Sequence, residues 1–118
     1  TIEEAIRNRL RVRLGQVGAL LTPFLLYQIR PRLGFSSALL RPVEYTGKIA
    51  CPVLFVIGDQ DRHTTVDEAS RMYAVASEPK EFTVFPGAGH TDLLAHSPIL
   101  YQNTVLPFLK KYLDLAVE

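Results

Sequence analysis

Apolar residues at Ile2, Ile6, Leu10 and Leu14 recur every four positions and predict an amphipathic helix at the start of the chain. Thr1-Ile2-Glu3-Glu4 has the S/T-x-x-E form of a capping box, which places the start of that helix at Thr1. Gly15 and Gly18 should break or loosen it. A second helix is expected over residues 19–29, with Pro23 in or near its first turn. Arg30-Pro31-Arg32-Leu33-Gly34 reads as a turn. Residues 35–48 carry Pro42 and Gly47 without a clear period, and are expected to be mostly loop with a short helical turn at 37–41.

The pattern changes after Pro52. Val53, Leu54, Phe55, Val56 and Ile57 form an apolar run without polar alternation, as in a strand covered on both faces of a parallel sheet. Thr65-Val66-Asp67-Glu68 is another capping box, opening a helix to about residue 76. Pro79 bars its continuation. Residues 81–85 read as a second short strand. Ser97-Pro98 then supplies an N-cap and a proline at the first helical position, with Ile99, Leu100, Leu106, Leu109 and Leu113 expected to face inward. Pro107 lies inside this last helix and predicts a kink or break near residues 103–106. Strand, helix, strand, helix in this order gives an α/β architecture with a right-handed parallel crossover.

Composition narrows the functional classes. With 118 residues the chain is one domain at most, and 47% hydrophobic content can support a core. The net charge of +1 gives no general pull toward nucleic acid or anionic membrane. The charge is uneven: residues 1–50 carry 8 Lys/Arg against 3 Asp/Glu, and residues 51–118 carry 5 against 9. Arg7, Arg9, Arg11 and Arg13 fall on the first predicted helix without interleaved aromatic residues, which favours a solvated or partner-facing side over a nucleic-acid site. The most apolar window, residues 14–29, contains Gly15, Gly18 and Pro23 and is shorter than the ~20 residues of a membrane span. A single cysteine, Cys51, permits no internal disulfide and fits a reducing compartment. The first residues show no secretory signal, so a cytoplasmic location is expected. Cys51 itself reads as a small packed residue at a strand start.

The candidate chemistry lies just beyond the two predicted strands. A carboxylate that orients a histidine must sit where a rigid strand fixes its reach. Gly58 lets the chain leave the first strand sharply, and Asp61 follows three residues later, with Asp59 as its rival. Both, with Thr64, would also serve as turn or capping residues. After the second strand, Pro86-Gly87-Ala88-Gly89 lets the backbone turn so that His90 can point over the strand ends. A general base needs one ring nitrogen held by a partner and the other turned toward substrate, and His90 is the candidate. His63 should lie near the rim of such a site, and His96 on the surface or just before a helix. Asp59, Asp61, His63, His90 and Asp92 could also ligate a metal, but no histidine pair has helical ligand spacing. G-x-G-x-x-G is missing after the first strand, so no dinucleotide site is expected.

Ile49-Ala50-Cys51-Pro52-Val53-Leu54-Phe55-Val56-Ile57-Gly58-Asp59-Gln60-Asp61, then Pro86-Gly87-Ala88-Gly89-His90, then Pro107-Phe108-Leu109 resemble the C-terminal part of the α/β-hydrolase superfamily. The resemblance covers residues 49–113. It implies the end of that fold: a short parallel sheet with flanking helices over residues 49–118, preceded by a helical cap or crossover segment over residues 1–48. This first segment resembles the lipase and peptidase-like branch less specifically. The resemblance further implies that Asp61, not Asp59, is the acid of a catalytic triad and that His90 is its base. The implied substrate is a small-molecule ester or amide, with water as the final acceptor and no cofactor.

The family's G-x-S-x-G nucleophile elbow is absent from these residues. Gly34-Phe35-Ser36-Ser37-Ala38 has a related form, but Ile29-Arg30-Pro31-Arg32-Leu33 is a poor buried strand, so Ser36 does not fit the elbow. The nucleophile, whether serine, aspartate or cysteine, is therefore expected upstream of a chain that reads as a fragment and is inactive alone. An unpaired sheet edge predicts self-association or pairing with a missing N-terminal half. The competing reading is a non-catalytic interaction module.

Overall fold

The unbroken apolar run after Pro52 forms β1 (Val53–Gly58), which pairs in parallel with β2 (Lys80–Phe85). The computed structural model describes residues 2–36 and 40–113. Between the strands lies α5 (Val66–Val75), and α7 (Pro98–Leu113) follows them. The register sets Phe55 opposite Phe82 and Gly58 opposite Phe85. Because strand side chains alternate, Phe55 and Phe82 share one face, while Glu81 and Phe85 share the other. Tyr73 of α5 covers the first face, with ring centroids 5.9 Å from Phe55 and 5.4 Å from Phe82. α7 covers the second, where Tyr101 lies 6.3 Å from Phe85 and Lys111 donates to Glu81 at 3.1 Å. The result is a mixed α/β stack with a helix on each face of a small parallel sheet.

The core is densest at the carboxyl ends of the strands. Ile57, Phe85 and Ala88 are buried, whereas Val53 through Val56 are half-buried. Helices cover both faces as the apolar run predicts, but among the described residues the sheet has two strands, and neither has a second neighbour. Cys51 is exposed rather than packed, since it precedes β1 and lies beyond the covered part of the sheet.

α5 begins where its capping box predicts. The Thr65 side chain accepts from the Glu68 backbone N–H, and the Glu68 carboxylate accepts from the Thr65 backbone N–H at 2.9 Å. α7 begins at Pro98 but runs through Pro107 as one element, so the expected break is not found. Pro107 forfeits one backbone bond, while Tyr101 and Phe108 anchor the helix on either side of it. The inward face also differs. Leu100 and Leu109 are half-buried as expected, but Ile99, Leu106 and Leu113 are 75%, 59% and 59% exposed, and Tyr101, Phe108 and Tyr112 complete the inward face.

The N-terminal region is helical throughout most of its described length. α1 (Ile2–Leu20) is kinked at Gly15, whose φ of 63° and ψ of −150° are non-helical. The expected loosening there is a kink and not an end. Ile2, Ile6 and Leu10 are half-buried as the stripe predicts, but Leu14, beside the kink, is exposed. Thr1 of the predicted capping box lies outside the described residues. α2 (Thr22–Tyr27) has Pro23 in its first turn and is shorter than expected.

Two short helices replace predicted irregular chain. α3 (Ile29–Leu33) occupies the expected turn, with Pro31 in its first turn, where a backbone N–H has no helical partner in any case. α4 (Pro42–Thr46) opens on Pro42 for the same reason. The turn predicted at 37–41 lies partly outside the described residues, and Leu40 and Arg41 are not helical. α1 is tied to α5 by Arg71 donating to Glu4 at 2.8 Å and by Asn8 donating to Glu68 at 3.1 Å.

Much apolar surface remains uncovered in this region. Val17, Leu20, Phe24 and Tyr27 are all at least 65% exposed. The radius of gyration is 17.0 Å, where a close-packed domain of this length would have about 13.5 Å. No helix among the described residues is long and apolar enough to cross a membrane.

Candidate functional site

The loops that leave the two strands interlock before they present their side chains. The Asp59 N–H donates to the Phe85 carbonyl at 3.2 Å, and the Gln60 N–H donates to the Ala88 carbonyl at 2.9 Å. In return the Gly87 N–H donates to Asp59 Oδ1 at 2.7 Å, with Gly87 at a positive φ of 71° that suits glycine. Ala88 is fully buried against Gly58. Asp59 is therefore a brace between the loops, and Asp61 stands one turn further on, facing the histidine.

Asp61 Oδ2 and His90 Nδ1 are 3.0 Å apart. The other carboxylate oxygen, Oδ1, accepts from the backbone N–H groups of His63 at 2.8 Å and Thr64 at 3.0 Å. Both oxygens are thus held, and the Asp61 side chain is only 6% exposed while that of His90 is 54% exposed. Burial pushes the Asp61 carboxyl up, but the Thr64 N–H, the His90 ring and the His63 N–H outweigh it and hold the group below its ordinary value of 3.8. An ionised carboxylate only accepts hydrogen bonds, so a neutral His90 must carry its proton on Nδ1 and leave Nε2 as a lone-pair acceptor. The arrangement can hold an imidazole in one tautomer and stabilise its cation.

Sequence reasoning undervalues His63. Its ring packs edge-on against His90 with centroids 5.0 Å apart, and its Nδ1 is buried without a hydrogen-bond partner among the described residues. Asn8 of α1 donates to the His63 carbonyl at 3.2 Å, joining the N-terminal helix to the site. The one available signal is position: His63 lies two residues after Asp61 in a loop fixed at both ends. Nothing in the composition of α1 points to its place beside the site. His96 is at the end of α6 (Leu93–His96), its Nε2 3.2 Å from the Pro86 carbonyl, and Asp92 caps that helix by accepting from Leu94 and Ala95.

Two cavities adjoin this constellation. A small one of about 160 Å³ is lined by His90, His63, Thr64 and α1 residues including Arg9. A larger one of about 460 Å³ lies between α1, α4 and α5 and shares Ile2, Ala5, His63 and Thr64 with it. Among the described residues no three His, Cys, Asp or Glu side chains come together in a way that could hold a metal ion. Ser36 is exposed and follows a helix, α3, rather than a strand, so the strand-to-helix setting of a nucleophile elbow is missing there.

No known family profile matches the chain. No solved structure matches it either. Among curated proteins it is similar to two from Mycobacterium tuberculosis, one in strain H37Rv and one in strain CDC 1551, each described as uncharacterized. The similarity is 36% identity over 50 residues, which is 42% of this chain and 18% of the length of each relative.

Proposed function

We propose that this chain is the C-terminal part of a serine-type α/β-hydrolase, supplying the acid and base of its catalytic triad. The observation that carries the reading is the Asp61–His90 pair, 3.0 Å apart, with the second Asp61 oxygen held by two backbone donors. Acid then base, each just past the carboxyl end of adjacent parallel strands, is the arrangement such a site requires. In the complete enzyme His90 Nε2 takes the hydroxyl proton of a serine as it attacks an ester or amide carbonyl. Asp61 stabilises the resulting imidazolium, which returns the proton to the leaving group. Water then repeats the sequence on the acyl-enzyme. In this reading the N-terminal segment is the cap, with the first turns of α1 beside the site. The serine and the oxyanion donors come from outside these 118 residues, so the chain alone turns over little or no substrate.

A fluorophosphonate probe tests this. The protein from the complete reading frame should take one adduct, on a serine outside this segment, and lose it in His90→Ala. An adduct on Ser36, or one indifferent to His90, would overturn the proposal.

A second reading, a self-associating module, draws on the exposed apolar surface of α1 and α2 and on two strand edges that are unpartnered among the described residues. Light scattering across a dilution series separates the two: an association that persists with His90→Ala and leaves no labelled serine in the full-length protein would favour the module.

A further inference from the structure

Beyond the dyad lies a chamber that its chemistry does not use. The larger cavity, about 460 Å³, has a volume within the range of small-molecule sites. Its wall is mostly apolar: Ile2 and Ala5 from α1, Leu40, Tyr45 from α4 and Met72 from α5. It does not open at random on the surface. Four of its lining residues also line the small cavity at His90, and His63, packed edge-on against His90, stands in both walls. Arg9 lines the small cavity and forms no ion pair among the described residues, so a cation stands where an anionic head group would lie.

We propose that the two cavities form one substrate site: the chamber takes an unbranched apolar chain, and the reacting polar head lies beside His90 and Arg9. The inference rests on the hydrolase reading for the identity of the head, an ester or amide in the substrate and a carboxylate in the product. It adds the substrate class, acyl compounds of intermediate chain length, and it assigns His63 to the passage between head and tail. The polarity supports this orientation. Arg41 and Glu68 also line the chamber, but Arg41 pairs with Glu44 and Glu68 accepts from Asn8 and Thr65, whereas Arg9 at the small cavity has no ion pair among the described residues. Branched or bulky acyl groups would have to pass between Ile2, Ala5 and His63, which border both compartments.

Binding, not turnover, tests the site. Straight-chain alkanoates of increasing length are titrated into the 118-residue chain by calorimetry, with the matching alkanols as the uncharged series. Affinity of the alkanoates should rise about fourfold per added methylene until the chamber is full, then level off. The alkanols should bind more weakly at each length, and Arg9→Gln should remove most of that difference. Ala5→Trp, at an exposed position of α1 that borders both cavities, should abolish the length dependence without disturbing the core. Met72→Trp, which fills the chamber from α5, is the second variant and should do the same. Flat affinity across chain lengths, or a length response unchanged by both tryptophan variants, would overturn the proposal. A length response together with no labelled serine in the full-length protein would keep the chamber and remove the hydrolase reading.

Discussion

A side chain on Gly58 would run into the backbone of Ala88: an added Cβ would meet the Ala88 carbonyl well inside 3.0 Å, closer than real Cβ atoms come. The same carbonyl accepts from Gln60, so it cannot move aside without loosening the loop that carries Asp61. Close passage of the two loops at this glycine is what brings an acid on one strand to a histidine on the next.

Gly58→Ala should therefore cost about 1–3 kcal/mol in urea denaturation, as over-packing of a tight interior does. It should also separate Asp61 from His90. Unchanged stability would mean that the two loops are not locked at Gly58.

Acid stability should report the Asp61 environment. Its carboxyl titrates below 3.8 in the folded chain and near 3.8 when unfolded. Folding thus favours the ionised form, so this contribution is complete above 3.8 and is lost as pH falls through the lower folded value. Asp61→Asn should be less stable at neutral pH and should lose less on acidification than the unaltered chain. Equal loss in the two proteins on denaturation from neutral pH to below 3.8 would contradict the assigned environment.

The core of α7 lies on its aromatic side. Phe108→Ala should cost about 3–5 kcal/mol, the usual penalty for emptying a buried phenylalanine site. Ile99→Ala and Leu113→Ala, at exposed positions, should each stay within about 0.5 kcal/mol. Thermal denaturation of the three variants decides between this face and the leucine face that periodicity suggests.

What the sequence made legible, and what it hid, follows from how much each signal depends on local chemistry. β1 and β2 are bounded by Pro52, Gly58, Pro79 and Pro86, which, with the apolar run of β1, locate both strands within a residue. α5 could be placed because Thr65 and Glu68 cap it reciprocally, a purely local interaction. Asp61 and His90 were visible as the polar residues that follow glycines at the ends of these strands. α3 and α4 were not legible, because short helices opened by Pro31 and Pro42 have the composition of turns. The inward face of α7 is legible at Leu100 and Leu109 but not at Tyr101, which is set by Phe85 of the sheet beneath it and not by the helix itself. Cys51 and His63 depend on tertiary neighbours in the same way: one falls outside the covered sheet, and the other gains its place only when the two loops meet.

The ring of His90 gives the most direct measurement. Long-range nitrogen–proton NMR spectra of the neutral imidazole should show the proton on Nδ1, bonded to Asp61, and a bare Nε2. In Asp61→Ala the proton should move toward Nε2. A neutral His90 protonated mainly on Nε2 in the unaltered chain, or a tautomer indifferent to loss of Asp61, would contradict the account of this pair as an oriented acid and base.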